Sequence, residues 1–234
     1  MTDFVLPAPV QPSVPVEGRA ERFPVRRVIC IGRNYGAHVR EMGGDPKADP
    51  PIFFAKFADT LVPPGASGDS GEVRYPGATS NLHHEIELVV ALKGGGTDLS
   101  AEAATALIWG YGVGVDLTRR DLQSKAKDAG GPWEVGKSFE QCAPIGFLRP
   151  ADQVGDLSHA AISLSVNGDT KQSASLADMI WSVPEVIAAA SRLWSLGAGD
   201  LIFTGTPEGV GPLVRGDRVE GSVEGVGSIA FTMS

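Results

Sequence analysis

A strand-rich α+β fold is the prediction, and three features of the sequence carry it. Thirty glycines and seventeen prolines in 234 residues are turn formers in numbers that suit short strands better than a helical bundle. HHEIELVVALKG (83–94) alternates as a strand does: Ile86, Leu88, Val90 and Leu92 fall on one face, Glu85 and Glu87 on the other. From Ala198 onward, short apolar runs are divided by glycine-rich turns, as in a small all-β closure.

Taken in order, residues 1–24 are proline-rich and read as an extended arm or edge segment. Residues 25–234 show no fixed repeat and no break in composition, so they are expected to form one domain. RRVICIG (26–32) reads as a buried strand ended by Gly32, and NYGAHVREMGG (34–44) as a short helix closed by two glycines. PIFFAKF (51–57) has the length of a strand, and the polar 65–81 stretch reads as loop and hairpin. SAEAATALIWG (100–110) predicts a helix capped by Ser100, followed by a Gly-Val strand, YGVGVDL. TRRDLQSKAKDAGG predicts a polar helix, AISLSVNG a strand, and 176–196 a helical segment around Pro184.

Bulk properties narrow the function classes. A net charge of -8 opposes a general nucleic-acid or anionic-membrane surface, so an anionic substrate must meet locally concentrated cations. Cys30 and Cys142 offer neither a disulfide framework nor a zinc-knuckle spacing. The N-terminus has no basic start or unbroken apolar core, and no window nears the ~20 apolar residues of a membrane span. A cytoplasmic protein is expected.

GPWEVGKS (131–138) matches the phosphate-loop pattern letter for letter. A working phosphate loop follows a buried strand and opens a helix. Here a charged helical stretch precedes it and Pro144 follows soon after, so nucleotide binding is not expected and Lys137 needs another purpose.

Glu85 and Glu87 share a strand face with Cα atoms roughly 7 Å apart, so both can reach one cation; two solvated surface charges are the plainer alternative. Asp116 ends the apolar run YGVGV, where a carboxylate calls for a partner. Three carboxylates suit a hard ion, Mg²⁺ or Mn²⁺. Zinc competes because of His83 and His84, but Leu88 stands where the second histidine of H-E-x-x-H belongs. His38 and Glu41, three apart, share one side of a helix, either as a water-activating dyad or as a surface ion pair. Arg120 and Gln123 lie one helical turn apart beyond Asp116; with Lys137 and Thr206 they form a cationic and polar group, though each alone is commonly structural.

The ordered set GRNYGAHVREMG, NLHHEIELVV, GYGVGVDLTRRDLQ, PWEVGKSF and LIFTGTPEGVGP resembles the fumarylacetoacetate hydrolase family. That resemblance implies a mixed β-sandwich roll with a few peripheral helices and a homodimer. It implies Mg²⁺ (or Mn²⁺) held by Glu85, Glu87 and Asp116, and His38, Glu41 and Lys137 as catalytic residues. Arg33, Arg120, Gln123 and Thr206 would contact a small anionic 2,4-dioxo acid. The implied activity is hydrolysis of a carbon–carbon bond, with fumarylpyruvate from gentisate breakdown as the leading substrate. Acylpyruvase and oxaloacetate decarboxylase are the alternatives within the family.

Overall fold

The computed structural model describes residues 4–37 and 51–234. The expected dyad, His38 and Glu41, and most of the helix expected over 34–44 lie outside the described residues.

Two sheets form the body. The larger has six strands in the spatial order Arg149–Pro150, Ile108–Val115, Ile86–Leu92, Asp200–Phe203, Arg27–Gly32 and Ile52–Lys56. Asp200–Phe203 runs parallel to Arg27–Gly32 and antiparallel to Ile86–Leu92, so the sheet is mixed. The second has five strands, in the order Asp169–Ser175, Ala161–Val166, Arg218–Val223, Gly227–Met233 and Glu72–Val73. A three-stranded ribbon, with Leu82–His84 between Thr118–Arg119 and Gly211–Leu213, stands beside them.

All seven residues of Ile86–Leu92 are buried, and the six apolar ones join three clusters. Ile86 and Leu88 pack with Val113 and Val115 against Ile162, Leu164, Val219 and Phe231 of the five-stranded sheet. Val90 and Leu92 meet Val186, Ile187 and Ala190 of the helix Val183–Leu193. On the opposite face Val89 and Ala91 pack with Cys30 and Phe203. The face that carries the glutamates is therefore as dry as the other, and a carboxylate there needs a partner.

Residues 13–24 form a small antiparallel ribbon, Ser13–Pro15 with Arg22–Pro24. Its Val14, Val16 and Phe23 are buried beside Leu148, and Phe23 packs on Trp109 at 5.1 Å between ring centroids. Both cysteines are buried and free. Among the described residues no helix is long and apolar enough to cross a membrane.

Several element boundaries differ from expectation. Ser100 does cap a helix, its hydroxyl accepting from the Ala103 amide, but the helix is only Ala101–Ala106; Ile108, Trp109 and Gly110 join the next strand because its partner Ile86–Leu92 extends that far. Pro184 lies in the first turn of Val183–Leu193, where its missing N–H costs nothing, and not mid-helix. No local hairpin forms in 65–81: Glu72–Val73 pairs in parallel with the distant strand Gly227–Met233.

Candidate active site

The site grows from a break in one strand. Glu85 separates Leu82–His84 from Ile86–Leu92, and the Asp116 amide donates to the Glu85 carbonyl at 2.8 Å. That bond sets Asp116, just past the end of Ile108–Val115, beside the break. Two residues on, Glu87 pairs with Gly114. A Cβ at position 114 would come within 2.7 Å of Val89 Cγ2, so glycine keeps this crowded face passable.

Glu85, Glu87 and Asp116 are all buried, and each offers a carboxylate oxygen within 4.8 Å of the others. Lysines and an arginine surround them. Lys137 Nζ donates to Glu85 Oε2, Asp116 Oδ2 and Thr118 Oγ1, each at 2.7 Å. Lys56 Nζ lies 2.7 Å from Asp116 Oδ1 and donates to the carbonyls of Leu117, at 3.2 Å, and Lys137. Arg120 donates to Glu85 Oε1 and to Gln123 Oε1.

Glu87 is held differently. The Gly205 amide donates to its Oε2 at 2.7 Å, at a turn that needs glycine: φ is +93°, and a Cβ would stand 2.7 Å from Asn34 Cβ. Burial, followed by the charges of Asp116 and Glu85, pushes the Glu87 carboxyl well above its ordinary range despite Lys137 and the Gly205 amide. A divalent cation among the three carboxylates would relieve that repulsion, and an all-oxygen donor set fits a hard ion. The histidines do not belong to this group. His84 Nδ1 is 3.0 Å from Gln172 Oε1, and His83 Nε2 is 2.9 Å from Asn81 Oδ1. Burial and the Arg120 guanidinium push His83 down to about 4, so it is neutral near pH 7.

These groups open onto a cavity of about 260 Å³. Arg33, Arg120, Gln123 and Thr206 line it with Lys137, and Phe54 and Trp133 form an apolar wall. Arg33 holds a positive φ of 61°, which is uncommon for a side-chain-bearing residue. The cavity thus gathers Arg33, Glu85, Glu87, Arg120, Gln123, Lys137 and Thr206, and Asp116 lies against its Lys137.

The phosphate-loop match fails on context. Gly131–Ser138 follows the helix Arg120–Asp128 and not a strand, and the helix Glu134–Lys137 has only four residues. The Lys137 ammonium is turned to two carboxylates.

Sequence reading missed three buried polar residues that hold the site. Lys56 had a visible signal, a lysine inside the apolar run PIFFAKF. Asn34 donates to the carbonyls of Trp181 (3.0 Å) and Thr204 (2.8 Å) and accepts from the Trp181 amide (2.8 Å). Gln172 stands in an otherwise polar stretch and had no signal at all.

Comparison with known proteins decides the family. Residues 27–234 match the model of the fumarylacetoacetate (FAA) hydrolase C-terminal domain. The chain belongs to the fumarylacetoacetate hydrolase family. Within it, a fumarylpyruvate hydrolase of Ralstonia sp. is 44% identical over 189 residues, covering 81% of this chain and 95% of the relative. The oxaloacetate tautomerase YcgM of Escherichia coli (strain K12) is 38% identical over 213 residues, covering 89% and 93%. The crystal structure of fumarylpyruvate hydrolase from Pseudomonas aeruginosa in complex with Mn²⁺ and pyruvate superposes with a TM-score of 0.95 at 50% identity, covering 99% of each chain. The two-sheet sandwich described above is this family's fold.

Proposed function

We propose that this chain is a metal-dependent hydrolase that cuts the C3–C4 bond of a 2,4-dioxo acid, with fumarylpyruvate as substrate and fumarate and pyruvate as products. One observation carries the reading: Lys137 Nζ, 2.7 Å from both Glu85 and Asp116, joins a carboxylate triad to an arginine-lined cavity. The 44% identical relative bears the name of this activity, and the 50% identical structure is a complex with Mn²⁺ and pyruvate, one of the two products.

Glu85, Glu87 and Asp116 would hold Mg²⁺ or Mn²⁺, which supplies a Lewis acid for the oxygens of the oxo acid. Lys56, Lys137 and Arg120 already pair with Glu85 and Asp116, while Glu87 is held by the Gly205 amide. Arg120 and Lys137 attract the substrate carboxylate, and Arg33, Gln123 and Thr206 orient it. His38, with Glu41 as its partner in the sequence pattern, would take a proton from water. The water oxygen bonds to C4, the C3–C4 bond breaks, and its electron pair passes to C3 as the enolate of pyruvate. Lys137 offsets that charge, a proton returns to C3, and fumarate leaves with the added oxygen. Family resemblance further supports a cytoplasmic homodimer working in gentisate breakdown.

The test compares fumarylpyruvate, maleylpyruvate, acetylpyruvate and oxaloacetate by loss of enol absorbance. Fumarylpyruvate should show the highest kcat/KM, EDTA should abolish turnover, and added Mg²⁺ or Mn²⁺ should restore it. Full activity in chelator would reject the metal site. A preference for oxaloacetate, the substrate named for the 38% identical relative, would move the reaction from bond cleavage to tautomerisation.

A further inference from the structure

Gln172 lies on the strand Asp169–Ser175 of the five-stranded sheet and is 1% exposed. Its amide orientation is dictated by backbone groups that cannot exchange roles. Oε1 accepts from the Ile86 amide at 3.0 Å, and Nε2 donates to the Pro207 carbonyl at 2.9 Å. Two further contacts are thereby forced. Oε1 can only accept, so His84 Nδ1, 3.0 Å away, must carry a proton. Nε2 can only donate, so Thr206 Oγ1, 2.8 Å away, must accept.

Thr206 Oγ1 therefore has its own proton left to place. Among the described residues no protein group accepts it. Thr206 is 4% exposed and lines the same cavity as Glu85, Arg120 and Lys137. A buried hydroxyl that already accepts from an amide is a stronger donor, because such bonds polarise one another along a chain.

We propose that Gln172 is a positioning residue that turns Thr206 into a one-way hydrogen-bond donor toward an oxygen of the oxo-acid substrate. The inference rests on the functional reading above and deepens it. The same amide ties the Thr206 turn to Ile86 and His84, which flank Glu85. One side chain from the second sheet thus sets both a substrate donor and the backbone that carries an acidic ligand. A substrate with an acceptor oxygen at this point is favoured, and one that presents a donor there meets a proton.

The test measures pyruvate binding to the Mn²⁺-loaded protein by calorimetry, together with Mn²⁺ affinity. Thr206→Val and Gln172→Met should each weaken pyruvate by about tenfold, the scale of one hydrogen bond to a charged group. The double variant should also lose about tenfold, because both changes remove the same bond. Thr206→Ser should bind like the parent. Mn²⁺ affinity should stay within about threefold in the Thr206 variants, which removes an indirect effect through the metal. Losses that multiply to about a hundredfold in the double variant, or unchanged binding in Gln172→Met, would overturn the relay while leaving the functional reading intact. Failure of the parent itself to bind pyruvate would overturn that reading and, with it, the oxo acid as the relay's target. A readout on the parent needs no variant: imidazole ¹⁵N shifts should show His84 as the Nδ1–H tautomer. The Nε2–H tautomer would mean the amide is reversed and would sink the relay by itself.

Discussion

Lys56 is the residue on which the centre's geometry turns. Its side chain is fully enclosed, yet it remains a cation. Burial opposes the charge, but the Asp116 carboxylate, with Cys142 and Cys30 nearby, outweighs it and holds the lysine above its ordinary value. Its ammonium grips Asp116, the Leu117 carbonyl and the Lys137 carbonyl together. The end of one strand and the end of a short helix are thus brought to a common point. Lys56→Met should cost about 3 kcal/mol, since it removes one of the two lysines that neutralise the buried Asp116 carboxylate. Chemical denaturation of the metal-free protein measures this directly. A loss below about 1 kcal/mol, the ordinary scale of an exposed pair, would show the contact to be incidental.

At the scale of elements, the helix Val183–Leu193 shows how local signals serve the site. Ser182 precedes it, Pro184 occupies its first turn, and the Ser182 amide and hydroxyl both donate to Glu185 Oε2, at 2.8 and 2.6 Å. Val186, Ile187 and Ala190 then bury against Ile29, Ile31, Val90 and Leu92. Just before the helix, Trp181 is bonded to Asn34, which also holds the Thr204 carbonyl next to Gly205. Glu185→Ala should cost about 1 kcal/mol at neutral pH, the usual scale of a cap, without changing kcat/KM. The Ser182 hydroxyl, then its amide, hold the Glu185 carboxyl below its ordinary 4.5. A depressed carboxylate stabilises the fold above its unfolded value and loses that contribution as pH falls through the folded one. The gap between thermal melts of parent and variant should therefore shrink as pH falls below 4.5 and close as it passes through the depressed folded value. A gap that persists there would point to lost packing instead.

For the whole molecule, the question is where the folded unit begins. The ribbon at residues 13–24 buries Val14, Val16 and Phe23 against the same cluster that backs Cys30 and Phe203. Phe4, Val5, Leu6 and Val10, by contrast, are exposed. If the ribbon belongs to the core, Phe23→Ala should cost about 3 kcal/mol through lost burial and an unfilled space beside Trp109. Removal of residues 1–10 should be nearly neutral. Differential scanning calorimetry of the two proteins separates the cases, and an unchanged melt for Phe23→Ala would make the ribbon an appendage. The overall charge of -8 makes the clustering of Lys56, Arg120 and Lys137 around Glu85 and Asp116 a local arrangement and not part of a surface for polyanions.

What the sequence determined by itself was periodic or adjacent. Alternation placed Glu85 and Glu87 on one strand face, Asp116 stood out as a charge ending an apolar run, and a helix before Gly131 ruled the phosphate loop out. Boundaries strayed where a distant partner extended or shortened an element, as at Ile108 and at Glu72. Only the tertiary structure decided which cation meets which carboxylate. Lys56 reaches Asp116 across 60 positions, and Gln172 reaches His84 across 88. A side chain's periodicity belongs to its neighbours in the chain, whereas the cost of a buried charge is settled by whatever the sheet order brings beside it.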